Sequence, residues 1–192
     1  MAATPSTMLD LGTAAPDFSL PEPLTGEHIC LDDFADKPAL CVAFMSNHCP
    51  FVVHLADAFA AYAHRFSKQG LAVVGIGSND AIKYPEDGPE KIALECEKRG
   101  YDFPYLYDED QSVAKAYRAA CTPDFYLFDA DRQLVYRGQF DDSRPGNDRP
   151  VTGADLCAAT EALLAGESLL APQKPSIGCN IKWKPGSEPD YL

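Results

Sequence analysis

The residues best suited to chemistry stand together at positions 46–50, where the sequence is SNHCP. They follow a continuous apolar run at 39–45 and precede a long segment whose apolar residues recur at helical spacing. This places Cys49 at a helix N-terminus, where unpaired amides and the helix dipole favour a thiolate. We expect Ser46 to donate its hydroxyl to that thiolate, and His48 to add positive charge when protonated. The alternative is an ordinary helix start with a small buried cysteine.

A strand–helix–strand unit would hold this motif in place. Residues 39–45 and 71–77 are apolar runs, typical of strands that are buried on both faces. The segment between them has the spacing of an amphipathic helix, which Gly70 closes. Strands joined in this way pair in parallel with a right-handed crossover. Because ligand sites gather at the carboxyl ends of such strands, position 46 lies where a site is expected.

The rest of the chain alternates between shorter predicted elements, which indicates an α/β fold. Segment 138–151 is rich in proline, glycine and charge, and predicts one long surface loop. The sequence TGAD at 152–155 resembles a capping box at the start of a helix. The remaining predictions are strands at 14–20, 27–31 and 105–107, helices at 89–99, 112–118 and 152–166, and a hairpin of 125–128 with 133–137.

We predict three parts in the chain: a flexible N-terminus at 1–13, one domain at 14–170, and a C-terminal extension at 171–192. In the extension, the apolar residues from Cys179 to Trp183 alternate with polar ones. This period of two predicts an extended segment with one face packed on the domain. A frayed tail is the alternative interpretation.

Composition and charge exclude several classes of protein. Of the 192 residues, 46% are hydrophobic, which argues against a disordered chain. Asp and Glu number 29 against 16 Lys and Arg, a net charge of -13. Such a surface repels phosphate backbones and anionic lipid, so we expect neither nucleic acid nor a membrane as a partner.

The cysteine pattern predicts thiols rather than a disulfide framework or a zinc site. No C-x-x-C pair occurs, and no cysteine pair stands near a matching histidine pair. The first ten residues lack the charged and apolar stretches of a signal peptide, so we expect a reducing, cytoplasmic setting. We expect four of the seven cysteines to be core residues: Cys30, Cys41, Cys96 and Cys157.

Beyond these patterns, the sequence resembles the thioredoxin superfamily. Its members place a Cys-Pro motif between a strand and a long helix, as at Ser46-Asn47-His48-Cys49-Pro50, and a cis-proline before a later strand, as at Thr122-Pro123. The APDF stretch at 15–18 is similar to the opening strand of the peroxiredoxin branch, which includes alkyl-hydroperoxide-reductase and thiol-specific-antioxidant proteins. The strongest resemblance is to a peroxiredoxin-like subfamily with a Cys-Asn-His-Cys-Pro motif. It extends to residues 78–80, 121–124, 141–143 and 177–183.

This resemblance implies a thioredoxin-like α/β fold. The fold would have a central mixed β-sheet flanked by helices, with an N-terminal strand extension and a C-terminal tail. The resemblance also implies that Thr122 and Pro123 shape the substrate side of the active site, and that Cys121 and Cys179 are candidate resolving cysteines. It further implies thiol chemistry without a metal or organic cofactor, with electrons supplied by an external thiol reductant.

One departure from that subfamily bears on the chemistry. Ser46 stands where its members typically carry cysteine, and a serine hydroxyl is not ionised at neutral pH, so ordinary disulfide reduction should be crippled. The remaining Ser-x-x-Cys-Pro pattern resembles true peroxiredoxins, whose peroxidatic cysteine has the place of Cys49. Their active-site arginine has no clear counterpart. Arg118 and Arg137 are candidate substitutes, although a surface role is the simpler interpretation of each.

Three hypotheses therefore stay open. The first is a thiol-based oxidoreductase of the peroxiredoxin-like or thioredoxin-like type, acting on a peroxide or disulfide through a Cys49 thiolate tuned by Ser46 and His48. The second is a redox-inactive binding or structural protein on the same fold. The third is a Cys-to-Ser trap variant of a dithiol–disulfide oxidoreductase. The oligomeric state is open in all three.

Overall fold

A strand, a long helix and a second strand carry the SNHCP motif. In the computed structural model, which describes residues 3–169 and 172–191, the predicted strand at 39–45 and helix at 89–99 have the expected bounds. The helices and strands are β1 (Ala3–Pro5), β2 (Ser19–Pro21), β3 (His28–Cys30), β4 (Ala39–Met45), α1 (Pro50–Ser67), β5 (Leu71–Gly77), α2 (Pro89–Arg99), β6 (Tyr105–Tyr107), α3 (Ser112–Ala116), β7 (Cys121–Thr122), β8 (Asp124–Phe128), β9 (Leu134–Gly138), α4 (Ala154–Leu164) and β10 (Ile177–Asn180).

The central sheet is mixed and has the strand order β6-β5-β4-β8-β9. β4 and β5 pair in parallel, from Ala39 opposite Leu71 to Met45 opposite Gly77, which confirms the predicted strand–helix–strand unit. β8 pairs antiparallel with β4 on its other side, and with β9 as the predicted hairpin. The carboxyl end of β4 therefore lies in the middle of the sheet, directly before the SNHCP motif.

Both faces of this sheet are covered by aromatic side chains. On the face of α1, the ring centroid of Phe59 lies 5.3 Å from that of Phe125. On the opposite face, Tyr117 packs edge-on against Phe44 and Tyr126, at 5.5 and 5.6 Å. Because β4 is buried on both faces, its sequence is apolar at every position instead of alternating. This packing fixes the start of α1 relative to the sheet.

A second, three-stranded sheet joins the two ends of the chain, in the order β1-β10-β7. The expectation of a flexible segment at 1–13 is therefore wrong for Ala3–Pro5, which pair antiparallel with β10. β10 in turn pairs with β7, so Cys179 and Ile181 are buried while Trp183 is half-buried. The predicted boundary between the domain and the extension, at 170 and 171, lies outside the described residues.

Several predicted ends of elements are corrected by backbone geometry. The strands predicted at 14–20 and 27–31 are shorter, at Ser19–Pro21 and His28–Cys30, with an isolated bridge from Ala14 to Gln133, and the helix predicted at 112–118 ends at Ala116. The predicted capping box at 152–155 is wrong, because the N-cap is Gly153 with φ of 66° and without a side-chain cap. The amides of Thr152 and Gly153 donate instead to the buried Asp141 carboxylate, at 2.6 and 2.7 Å. None of the helices within the described residues is long and apolar enough to cross a membrane.

Candidate functional site: a buried thiol at a helix N-terminus

Cys49 lies at the N-terminus of α1 and is fully buried. It is the N-cap residue, and Pro50 occupies the first helical position, where a missing N–H costs nothing. The Cys49 Sγ–H donates to the Thr122 carbonyl oxygen at 3.0 Å, and the Thr122–Pro123 peptide bond is cis. The structure therefore brings Cys49 next to Thr122 and Pro123, which lie more than 70 positions later in the chain.

A buried carboxylate, Asp87, organises the loop that precedes Cys49. It is the last residue of the short 3-10 turn Pro85–Asp87, directly before α2, and is 1% exposed. Four residues direct polar groups to its two oxygens: the Ser46 hydroxyl (3.1 and 3.2 Å), the Asn47 amide (2.7 Å), His48 Nδ1 (2.7 Å) and the Asn79 side-chain amide (2.7 Å). A buried carboxylate needs such partners, because leaving it unpaired would be costly.

The structure directs the Ser46 hydroxyl to Asp87 and not to Cys49 as expected, whereas the positive charge expected of His48 stays a prediction. The Ser46 hydroxyl donates to Asp87, while the Cys49 thiol bonds to Thr122. The His48 ring also turns to Asp87 and stacks on the Tyr84 ring, with centroids 5.3 Å apart and planes 5° apart. Both side chains order the loop that presents Cys49, instead of contacting its sulfur.

The Ser46, His48 and Asp87 set has the composition of a hydrolase triad but a different geometry. In a triad, the carboxylate and the serine bond to opposite nitrogens of the histidine ring, so that the ring relays a proton. Here both Asp87 and Ser46 face Nδ1, at 2.7 and 3.4 Å. The His48 ring therefore does not stand between the two groups, with Asp87 on one nitrogen and Ser46 on the other. The arrangement supports a structural role.

The two candidate resolving cysteines both lie close to Cys49, in different ways. Cys179 pairs directly with Thr122 across β10 and β7. Burial is the largest cause that raises the pKa of Cys179, and the Cys49 thiol raises it further. Cys121 directs its thiol to the Pro123 carbonyl oxygen at 3.6 Å. Burial, and then the nearby Asp124 carboxylate, raise the pKa of Cys121 well above its usual range. Three thiols thus surround the Thr122–Pro123 bond.

The other candidates of the sequence lie elsewhere. The Arg137 guanidinium donates to the Gln173 side chain at 2.9 Å, and the Arg118 guanidinium lies 4.8 Å from the centroid of the Tyr191 ring. Neither arginine replaces the active-site arginine of peroxiredoxins in these contacts. Of the four cysteines expected in the core, Cys41 and Cys96 are buried, whereas Cys30 and Cys157 are half-buried.

Sequence patterns did not single out Asp87 or Lys182. Asp87 lies in a short turn without periodicity, and only its proximity in space to Ser46 reveals its role. Lys182 lies in the C-terminal extension, where its alternation with apolar neighbours predicts an exposed side chain, yet it is 9% exposed. A lysine so enclosed is uncommon, because its charge must give up water.

Comparison with known proteins identifies the family of this chain. A model of the AhpC/TSA family matches residues 11–137, about two thirds of the chain. The chain belongs to the AhpC/TSA family. A solved structure of a hypothetical protein from Sinorhizobium meliloti 1021 is 56% identical, with a TM-score of 0.93 over 94% of this chain and 98% of that one. The 1-Cys peroxiredoxin B of Oryza sativa subsp. indica is 25% identical, over 93% of this chain and 80% of its own length.

The thioredoxin-like fold is also confirmed. The peroxidoxin BcpB of Mycobacterium tuberculosis superposes with a TM-score of 0.61 over 82% of this chain and 98% of that one, at 23% identity. As an AhpC/TSA protein with this fold, the chain is supported as a thiol oxidoreductase in general. The family model ends at residue 137, so the segment with Cys179 and Lys182 lies beyond it.

Proposed function

We propose that this AhpC/TSA protein is a thiol-based oxidoreductase that reduces a peroxide through the Cys49 thiolate. The observation that carries the proposal is the position of Cys49, at the N-terminus of an 18-residue helix and 3.0 Å from the carbonyl oxygen of Thr122, the cross-strand partner of a second buried cysteine, Cys179. The helix dipole and the unpaired amides of the first turn favour negative charge on the sulfur. An external thiol reductant would restore the reduced state.

Peroxide fits the burial of this thiol better than the disulfide of another protein. Attack on a disulfide requires a second sulfur to approach in line with the attacking one. Cys49 has no exposed surface, and the Asp87 network holds the loop around it. A peroxide is small enough to enter through a local opening of this loop, whereas a protein disulfide would need the loop displaced.

The chemistry requires one sulfur and one peroxide. The Cys49 thiolate attacks one peroxide oxygen, the O–O bond breaks, and the sulfur becomes a sulfenic acid. The departing oxygen takes up a proton and leaves as water or an alcohol. In this proposal Ser46 and His48 are positioning residues, because they act on Cys49 only through the loop that Asp87 orders. Thr122 and Pro123 form the wall beside the sulfur.

The test combines alkylation with a search for the sulfenic acid. The alkylation rate of each cysteine is measured against pH by mass spectrometry, with Cys30 as the half-buried reference and Cys41 as the buried one. Hydrogen peroxide is then added, and a sulfenic-acid-specific probe is mapped to its peptide. We expect labelling at Cys49 that is lost in Cys49→Ser. A Cys49 that titrates like a free cysteine and forms no sulfenic acid would overturn the proposal.

One observation favours a second candidate, a redox-inactive binding or structural protein. The Cys49 Sγ–H donates to the Thr122 carbonyl oxygen, a contact that stabilises the neutral thiol over the thiolate. Together with the serine at position 46, this contact supports a fold kept for binding after redox chemistry was lost. The same experiment decides between the two, because a redox-inactive protein gives no sulfenic acid at Cys49 while its Cys30 still reacts.

A further inference from the structure

Cys179 and Cys49 are both neighbours of Thr122. The carbonyl oxygen of Thr122 accepts the Cys49 thiol at 3.0 Å, and Thr122 is the direct cross-strand partner of Cys179. The backbones touch here: a Cβ on Gly178 would lie 2.0 Å from the Thr122 carbonyl oxygen. Directly paired residues in an antiparallel sheet lie only about 5 Å apart. Cys179 therefore lies directly across the strand pair from the residue whose carbonyl group accepts the Cys49 thiol.

The nearby Cys49 sulfur affects the ionisation of Cys179, and this sets an order of reaction. Burial raises the pKa of Cys179, and contact with the Cys49 sulfur raises it further. A thiolate at Cys49 thus keeps Cys179 protonated, since two adjacent negative sulfurs repel each other. Once Cys49 becomes a neutral sulfenic acid, this repulsion ends. Cys179 is then free to ionise at the stage when a second thiolate is needed.

An enclosed cation, Lys182, lies three residues after Cys179 and favours that ionisation. The Lys182 side chain is 9% exposed, and its ammonium donates to the Asn180 carbonyl and side-chain oxygens at 2.7 and 3.0 Å. Within the part of the chain that the structure describes, no carboxylate forms an ion pair with it. The Lys182 charge acts on Cys179 in the direction that lowers its pKa. A buried positive charge without a carboxylate favours an anion nearby.

We propose that Cys179 is the resolving thiol, which forms an intrachain disulfide with oxidised Cys49, and that Lys182 is the positioning cation for its thiolate. This inference rests on the proposed function. The Cys179 thiolate attacks the Cys49 sulfenic sulfur, an S–S bond forms, and the S–O bond breaks. The oxygen leaves as water after it takes the proton given up by Cys179. A dithiol reductant then reduces the disulfide and is itself oxidised to a disulfide.

Cys121 is the competing partner, and its surroundings oppose the role. Its cross-strand partner is Asn180, and its thiol faces the Pro123 carbonyl oxygen. The neighbouring Asp124 carboxylate raises the pKa of Cys121, after burial, and so works against the thiolate that resolution requires. The two cysteines thus lie next to groups of opposite sign, Lys182 beside Cys179 and Asp124 beside Cys121.

The experiment oxidises the full chain with one equivalent of hydrogen peroxide and maps disulfides by non-reducing peptide mass spectrometry. We expect the Cys49–Cys179 peptide pair in wild type and in Cys121→Ser. In Cys179→Ser and Cys179→Ala we expect a sulfenic acid at Cys49 that persists and is trapped by the probe. Circular dichroism checks that these variants fold. A Cys49–Cys121 pair, or a lasting sulfenic acid in wild type, would overturn the inference and leave the proposed function standing.

Lysine variants test the cation separately. Lys182→Met should leave sulfenic acid formation unchanged and slow disulfide closure by roughly three- to tenfold, since one nearby charge shifts thiolate content by about a factor of ten and nucleophilicity partly compensates. Lys184→Met, two residues further on, is the matched control and should close at the wild-type rate. Equal closure rates in both variants would remove Lys182 from the proposal. Failure of wild type to form any sulfenic acid would count against the proposed function instead.

Discussion

Removing the Asp87 carboxylate should destabilise the fold far more than removing a carboxylate from a similar pair at the surface. Asp87 is 1% exposed and serves the Ser46 hydroxyl, the Asn47 amide, the Asn79 amide and His48 together. Asp87→Ala leaves all four without their acceptor. These groups belong to the loop before Cys49 and to the loop that follows β5, so the loss acts where the site is held.

The expected magnitude follows from burial. An unsatisfied buried donor costs about 1–3 kcal/mol, and removal of one partner from a buried charge pair costs roughly 3–5 kcal/mol. His48 is 24% exposed and can turn to water, while Asn79 is 4% exposed and cannot. We therefore expect Asp87→Ala to lower the free energy of unfolding by about 3–5 kcal/mol. Alkylation of Cys49 should accelerate at the same time, because the loop over it loosens.

The chain supplies a matched control in the His64–Asp102 pair. The distance from His64 Nδ1 to the carboxylate is 2.8 Å, against 2.7 Å for the His48–Asp87 pair, but the two side chains are 63% and 40% exposed. Asp102→Ala should cost less than about 1 kcal/mol, because water replaces the lost partner. Both variants are compared by urea unfolding at equilibrium. Equal losses in the two variants would refute the argument that burial of Asp87 stabilises the loop.

Three further substitutions test other parts of the fold. Burial raises the pKa of Asp124 to about 7, so between about pH 4 and 7 the folded chain binds more protons than the unfolded chain and loses stability as pH rises. Asp124→Asn should remove this loss, on the order of 4 kcal/mol, in urea unfolding at pH 4 and 8, and an unchanged difference would contradict it. Gly178→Ala should lower the free energy of unfolding by about 1–3 kcal/mol or more and increase Cys49 alkylation, because the new Cβ would lie 2.0 Å from the Thr122 oxygen. Gly88→Ala is the control, because its Cβ would lie 3.3 Å from the nearest atom. Asp141→Ala removes the acceptor of three backbone amides, so limited proteolysis at 144–149 should accelerate, and an unchanged rate would count against that role.

The elements around the site were predictable where one local pattern decides the structure. β4 and β5 are uninterrupted apolar runs, and α1 has apolar residues at helical spacing between an N-terminal proline and a closing Gly70. These signals lie within single segments, so the sequence is sufficient. β1 escaped prediction because three small residues acquire their conformation by pairing with β10, which lies more than 170 positions away.

The same difference between local patterns and long-range contacts explains which parts of the site could be predicted. Cys49 could be placed at a helix N-terminus, because strand, motif and helix are contiguous. The partner of Ser46 could not, since Asp87 lies 41 positions away in an irregular turn and the side chain had another plausible target in Cys49. Burial of Lys182 also depends on the strand order β1-β10-β7, which no periodicity in the extension reveals.

The Asp87 network also predicts what a cysteine at position 46 would do. In Ser46→Cys the new thiol would replace a hydroxyl that lies 3.1 Å from the Asp87 carboxylate. A negative charge at that distance opposes a thiolate, so the restored first cysteine should be a poor nucleophile. We therefore expect little gain of insulin disulfide reductase activity in Ser46→Cys. The double variant Ser46→Cys, Asp87→Asn removes the opposing charge. A gain that appears in this double variant and not in the single variant would support this reasoning. A strong gain in the single variant would instead support the hypothesis of a dithiol oxidoreductase trapped by its serine.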